Sequence, residues 1–215
     1  MTDGPQDDEP RPAFNLRTIG PEPSGTTPLA QEDLEGLIPD FVATRADLNV
    51  VEFENITKAL PWALRRAPAL GPEGVLAYGF MMELHRRMFG DVWTWAGTPR
   101  RRETNIGVAP QLIPSQSMQR LDDANYWHAE NVLGPDELAA RIHCRLVSVH
   151  PFVNGNGRCT RLMADLYLTS IGARALTWGG TNLDVDGSGR ARYIAALVKA
   201  ADTDDYTDLV HFART

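Results

Sequence analysis

Twelve consecutive residues, HPFVNGNGRCTR at positions 150–161, constrain the fold of this chain more than any other stretch. Apolar residues at helical spacing lie on both sides of it, namely Leu138, Ile142, Leu146 and Val149 before it and Leu162, Met163, Leu166, Leu168 and Ile171 after it. This pattern predicts a helix, a tight loop and a second helix that begins in the loop. Gly155 and Gly157 allow the loop backbone to turn sharply and to approach a ligand closely.

The same stretch has the chemistry of a phosphate site. The first amides of a helix lack intrahelical partners and carry the positive end of its dipole, so the second helix offers a seat for an anion. Arg158 and Arg161 lie three residues apart on one face of that helix, and two guanidinium groups suit a polyphosphate. His150, with an ordinary pKa near neutrality, can take a proton from a nucleophile. The set predicts transfer of a phosphate-containing group to a hydroxyl. The alternative is a helix corner with solvated arginines and a capping histidine.

Composition narrows the class of protein. The chain has 215 residues, of which 43% are hydrophobic, enough for one domain with a core and a tail. Its net charge of −7 argues against direct nucleic-acid binding. Cys144 and Cys159 have no zinc-site spacing, which favours reduced thiols in the cytoplasm. We find no apolar run long enough for a membrane span and no signal peptide.

The rest of the chain predicts further helices. Residues 1–27 are rich in proline and acidic residues and are predicted to be a disordered tail, which leaves 28–215 as the domain. A capping box opens a helix over about 44–60, which Pro61 is expected to end or kink. Residues 72–89 have the apolar spacing of an amphipathic helix. The fold class is therefore all-α.

The stretch at 150–161 resembles the motif HxFx(D/E)GN(G/K)RxxR of the Fic/Doc family. This resemblance implies a helical bundle around the motif helix and an enzyme that transfers AMP from ATP to a protein hydroxyl. It assigns His150 as the general base, Phe152 as a buried anchor, and the phosphate-binding groups to Gly155, Asn156, Gly157, Arg158 and Arg161. Asn154 stands where the family has a magnesium-binding acid. A neutral oxygen is a weaker ligand for Mg²⁺ than a carboxylate, so the sequence leaves magnesium binding open.

A second resemblance concerns regulation. Residues 50–55, VVEFEN, are similar to the family's inhibitory motif (S/T)xxxE(G/N), with Val50 in place of the hydroxyl residue. The resemblance implies that Glu54 pairs with Arg161 and obstructs the γ-phosphate. The alternative is that Glu54 is one acid on a solvated helix face.

Residues 100–108 form a polar, basic segment that reads as a surface loop or a short hairpin. By resemblance this segment is the flap that pairs with an extended segment of a target protein, through Arg102, Thr104 and Ile106. Residues 27–215 also resemble the Fic subgroup called mobile mystery protein B. That subgroup implies a bacterial protein with a helix-turn-helix protein encoded beside it as a partner.

The sequence thus predicts an all-α protein of about eight helices around the helix after Gly157, with a β-hairpin flap. The predicted activity is AMP transfer from ATP to a Ser, Thr or Tyr hydroxyl of a target protein. Two alternatives stay open. One is a nucleotide- or partner-binding module with weak catalysis, and the other is a Fic enzyme that uses another donor or removes AMP.

Overall fold

A computed structural model describes residues 29–180, 183 and 187–215. The predicted tail, 1–27, lies outside the described residues. The described part contains eight α-helices: α1 (Gln31–Leu34), α2 (Arg45–Val75), α3 (Tyr78–Phe89), α4 (Ile113–Ala129), α5 (Pro135–Val149), α6 (Asn156–Ser170), α7 (Ser188–Thr203) and α8 (Thr207–Arg214). Two short 3₁₀ turns lie at Pro110–Leu112 and Trp178–Gly180. None of these helices is both long and apolar enough to cross a membrane.

Helix α6, which begins inside the motif, is the centre of the bundle, as the sequence predicts. It packs against α5, α2 and α3. Met163, Leu166 and Leu168 are fully buried, and so is Phe152 in the loop before the helix. The buried face of α6 packs against these three helices, whereas Arg158, Arg161 and Asp165 are only partly buried.

Helix α2 is longer than the sequence predicts. The sequence predicts that Pro61 ends or kinks it, but the chain stays helical past Pro61 and Pro68. The kink lies at Gly71 (φ 67°, ψ 177°), and the turn that follows it ends at Val75. A proline inside a helix removes one hydrogen bond and costs about 3 kcal/mol. Small buried side chains follow one face of α2, namely Ala59, Ala63 and Ala67. Close packing along this face offsets the cost of the prolines.

The helix predicted over 72–89 is shorter at its N-terminal end. The chain leaves the helical conformation at Leu76 and Ala77, and α3 begins at Tyr78. The predicted apolar face is correct, because Phe80, Leu84 and Met88 are all buried.

No hairpin is seen in the flap segment. Within the described residues the single β-bridge joins Leu37 to Trp93, and both residues lie outside 100–108. Two main-chain hydrogen bonds instead attach the segment to the motif. The amide of Arg100 donates to the Pro151 carbonyl (2.9 Å), and the amide of Val108 donates to the Val149 carbonyl (3.2 Å).

The side chain of Arg100 accounts for this shape. It is 2% exposed, and its guanidinium donates hydrogen bonds to the carbonyls of His150, Arg102 and Val108. A side chain therefore satisfies carbonyls that a partner strand would satisfy in a hairpin. Arg100 is therefore a buried structural residue of this loop.

Candidate active site

The residues of the 150–161 motif converge on one cavity of about 440 Å³. This volume lies within the range of small-molecule and cofactor sites. All seven predicted motif residues line it, namely His150, Asn154, Gly155, Asn156, Gly157, Arg158 and Arg161. Helix α7 contributes an apolar wall with Ile194, Leu197 and Val198, and the flap segment contributes Ile106 and Gly107.

A glycine with a left-handed backbone and an asparagine side chain that faces inward shape the loop between α5 and α6, which we call the phosphate loop. Gly155 has φ 76°, and a Cβ at this position would lie 2.4 Å from the Phe89 ring. Only glycine meets both conditions without strain. Asn156 turns its side chain into the protein, where it accepts from the amide of Phe152 and donates to the carbonyl of the same residue, both at 2.8 Å. The loop is therefore closed by its own polar groups before any ligand binds.

The first turn of α6 faces the cavity. Its N-cap is Gly155, and no side chain caps the helix. The amides of Asn156, Gly157 and Arg158 precede the first intrahelical hydrogen bond, which runs from Cys159 to Gly155 (2.9 Å). Such a helix terminus, facing a cavity beside two arginines, is suited to bind an anion.

The two arginines reach the cavity from different sides. The Nη1 atom of Arg161 lies 3.4 Å from the Tyr193 hydroxyl, and the guanidinium folds back over Gly157. Arg158 turns towards α2, where it pairs with the carboxylate of Glu52 at 2.8 Å and lies over the Phe89 ring.

His150 stands at the opposite rim of the loop as the C-cap of α5. Its backbone is left-handed (φ 55°), which is uncommon for a residue other than glycine, and the side chain is 6% exposed. Burial and the nearby guanidinium of Arg100 lower the pKa of His150 to about 4. The imidazole is therefore neutral near pH 7 and can accept a proton.

The structure does not place Asn154 as a magnesium ligand. Its carboxamide oxygen accepts from the Gly155 amide (2.7 Å), and its nitrogen donates to Glu52 (3.1 Å). Both ends of the side chain are thus engaged inside the protein. No group of three or more His, Cys, Asp or Glu side chains in the described residues could hold a metal ion. These donors do not fit a resident Mg²⁺, which prefers carboxylates and water.

The acid that contacts the motif is Glu52, and the predicted contact of Glu54 is wrong. Glu54 is exposed on α2, whereas Glu52 is 1% exposed. The Glu52 carboxylate binds Trp93 Nε1 (2.7 Å) as well as Asn154 and Arg158. A cue was present in the sequence, because Glu52 shares a helical face with Leu48, Asn55, Ala59 and Ala63, all of which are buried.

The predicted flap residues are not equivalent. Ile106 is 45% exposed and lines the cavity. Thr104 is half-buried, and its hydroxyl donates to the Ile106 carbonyl. Arg102 forms an ion pair with Asp33 near α1, so its charge is engaged within the protein.

His85, on α3, lies behind the loop. It is fully buried and stacked on Phe152, with ring centroids 3.7 Å apart. Its Nδ1 accepts from the Gly97 amide (2.9 Å), so its Nε2 carries the proton and donates to the Asn154 carbonyl (3.0 Å). Burial lowers the pKa of His85 to about 3, which keeps this tautomer neutral.

Comparison with known proteins agrees with this geometry. Residues 76–168 match the sequence model of the Fic/DOC family. These residues are a Fic/DOC family domain. The matched range begins two residues before α3 and ends two residues before the end of α6, so it contains the loop, His150 and both arginines.

Curated relatives of the Fic domain are named protein adenylyltransferases. The Caenorhabditis elegans protein adenylyltransferase fic-1 is 34% identical over 96 residues, which are 43% of this chain and 19% of the relative. The chain thus spans about a fifth of the length of that relative. The solved structure of C. elegans Fic-1 has 29% identity and a TM-score of 0.57, covering 76% of this chain and 48% of that one.

The bundle around the Fic domain also resembles bacterial structures. The BepC protein of Bartonella tribocorum, solved with bound AMPPNP, gives a TM-score of 0.60 at 16% identity, over 80% of this chain and 87% of that one. At this identity the likeness supports the all-α fold alone.

The first prediction tests the close approach at Gly155. Gly155→Ala adds a Cβ that meets the Phe89 ring, in addition to the strain of a left-handed alanine. Gly172→Ala is the matched control, because Gly172 has a similar φ of 71° with nothing within 4 Å. We expect Gly155→Ala to lower the free energy of unfolding by about 1–3 kcal/mol more than the control. Equal losses in urea denaturation would show that the contact with Phe89 is unimportant.

The second prediction concerns Asn154 and Glu52. Asn154→Asp replaces a donor with a second carboxylate beside buried Glu52, so we expect it to lower the free energy of unfolding by about 2 kcal/mol or more. Glu52→Gln removes the buried negative charge that would repel the new carboxylate at position 154. We expect the double variant to be at least about 1 kcal/mol more stable than the sum of the single effects predicts. If denaturant titrations show that the two effects are additive, the side chains at positions 52 and 154 do not interact, and Glu52 does not explain why position 154 is an asparagine.

Proposed function

We propose that this Fic domain transfers AMP from ATP to a Ser, Thr or Tyr hydroxyl of a target protein. The observation that carries this proposal is the convergence on one cavity of a neutral His150, the amides at the start of α6 and Arg161. Relatives named protein adenylyltransferases support the choice of nucleotide. The apolar side chains of α7 that line the cavity are suited to contact the adenine ring of ATP.

In this mechanism the target hydroxyl oxygen attacks the α-phosphorus of ATP. A bond from that oxygen to the phosphorus forms, the bond from the α-phosphorus to the bridging oxygen breaks, and pyrophosphate leaves. His150 takes the hydroxyl proton. Arg158, Arg161 and the amides of Gly155, Asn156 and Gly157 stabilise the charge on the phosphates, so catalysis is mainly positioning and electrostatics. The protein supplies no carboxylate for magnesium at 154, so the metal enters with ATP as part of the substrate.

The segment 100–108 is proposed to bind the target. Arg100 fixes its backbone beside His150, and Thr104 and Ile106 are accessible. Arg102 holds the segment against Asp33 and contributes to its shape. The likeness to the mobile mystery protein B subgroup, a helix-turn-helix partner and a bacterial cytoplasmic location stay predictions from the sequence. Two buried free thiols, Cys144 and Cys159, are compatible with that compartment.

A binding module with weak catalysis is the second candidate. Asn154 in place of an acid and the engagement of Arg158 by Glu52 favour it. Both candidate functions require that ATP binds in the cavity. ATP binding therefore does not distinguish them, whereas turnover does.

The third prediction tests the proton acceptor. We expect His150→Ala to reduce AMP transfer by about 10²–10⁴-fold, because a general base contributes that much. ATP affinity should change little, since the phosphate groups are held elsewhere. Label from α-³²P-ATP, incubated with the protein and a cell lysate, measures transfer, and titration calorimetry measures binding.

His211→Ala is the matched control, because His211 is an exposed histidine on α8, outside the cavity. It should label like the wild type. Equal labelling by His150→Ala would exclude His150 as the base. Binding of ATP without any transfer by the wild type would favour the second candidate.

The fourth prediction follows from the lowered pKa of His150. A base works in its neutral form, so activity is lost as the pH falls through its pKa. A histidine with the ordinary pKa of 6.5 is roughly nine-tenths protonated at about pH 5.5. With a pKa of about 4, His150 is almost fully neutral there. We therefore expect kcat/KM to stay nearly constant from about pH 8 to 5.5, and a tenfold loss over that range would contradict the lowered pKa.

A further inference from the structure

A buried histidine outside the mechanism lies behind the phosphate seat. His143, on α5, is fully buried, and each of its ring nitrogens has a polar partner 2.9 Å away. Nδ1 lies against the Thr160 hydroxyl on α6, and Nε2 lies against the Tyr193 hydroxyl on α7. The same Tyr193 oxygen lies 3.4 Å from Nη1 of Arg161.

The supply of protons fixes the direction of these hydrogen bonds. Arg161 can only donate, so the Tyr193 oxygen accepts from it. The Tyr193 proton must then go to the other neighbour, Nε2 of His143, because the opposite arrangement would leave a buried hydroxyl proton with no acceptor on His143 or Arg161. A neutral imidazole that accepts at Nε2 carries its proton on Nδ1, which donates to Thr160.

The last hydrogen bond returns to the motif. The Thr160 hydroxyl donates to the Asn156 carbonyl at 2.8 Å. A chain of hydrogen bonds therefore runs from Arg161 through Tyr193, His143 and Thr160 to Asn156, with one proton in each hydrogen bond. Burial and the charge of Arg161 hold the pKa of His143 well below its usual range, which agrees with a neutral ring.

We propose that Tyr193 and His143 are positioning residues that hold the Arg161 guanidinium over the phosphate seat. Tyr193 offers Arg161 an oxygen whose own proton is directed away. His143 supports that orientation, because the Thr160 hydroxyl proton is used by the Asn156 carbonyl, so Nδ1 donates to Thr160 and Nε2 is left to accept. The side chain of Arg161 is thereby directed towards Gly157. This inference rests on the proposed role of Arg161 as a ligand of the outer phosphates of ATP.

Tyr193→Phe tests the chain, because it removes the oxygen and keeps the ring. We expect it to weaken ATP binding by about 3- to 10-fold, the usual effect of losing one ordinary hydrogen bond, because the contact with Arg161 is long at 3.4 Å. AMP lacks the outer phosphates, so its affinity should stay unchanged. Titration calorimetry with ATP and AMP as probes gives both values.

The matched control is Tyr167→Phe. Tyr167 is also buried and shares its hydroxyl with a histidine, His128, at 3.1 Å, but it does not line the cavity. The control should leave both affinities within about twofold of the wild type, although it loses a comparable hydrogen bond. In an Arg161→Gln background, Tyr193→Phe should cause no further loss of ATP affinity.

Two results would overturn the proposal. The first is an equal loss of ATP and AMP affinity in Tyr193→Phe, or a loss that persists in the Arg161→Gln background, since Tyr193 would then only support the cavity wall. The second is a signal from the Nε2–H tautomer of His143 in long-range ¹H–¹⁵N spectra of the wild type, where we expect Nδ1–H. If the wild type binds neither nucleotide, the proposed function fails, and the tautomer still decides whether the chain exists.

Discussion

The buried carboxylate of Glu52 is the interaction on which the site most depends. It is 1% exposed and receives hydrogen bonds from Trp93, Asn154 and Arg158. These partners belong to the turn after α3, the phosphate loop and α6. A buried charge is tolerable only when it is paired and hydrogen-bonded, so the three elements must meet where Glu52 lies. A single group on α2 thus fixes the loop, although it lies about one hundred residues away in sequence.

The phosphate loop is supported from inside the protein by neutral polar groups. Asn156 closes the loop through Phe152, and His85 holds the carbonyl of Asn154. Burial keeps the pKa of His85 low, so this support adds no positive charge. Groups fixed in advance bind and stabilise charge without reorganising, which is the property that phosphoryl transfer requires. The positive charge of the cavity is left to the arginines and the helix terminus.

The sequence predicts the local part of this arrangement and misses the part that depends on packing. His150, Gly155 and Arg161 come together because they share one helix–loop–helix segment, and α6 is central because its apolar residues are buried against the neighbouring helices. The inhibitory motif selects Glu54 by its spacing, but spacing does not say which face of α2 meets α6. Burial of Ala59 and Ala63 settles the face and brings Glu52 inward. The passage of α2 through Pro61 has the same cause, because local rules for proline omit the gain from close packing.

Arg100 binds three backbone carbonyls, so the path of the flap segment depends on this buried side chain and not on the side chains at its surface. The guanidinium fixes the backbone of residues 100–108 from beneath, while Glu103 and Asn105 are exposed. Exposed side chains can therefore vary without loss of the backbone path beside His150. The outer face of this segment is in this sense an exchangeable cassette, which tolerates substitution while the chemical machinery beside it stays intact.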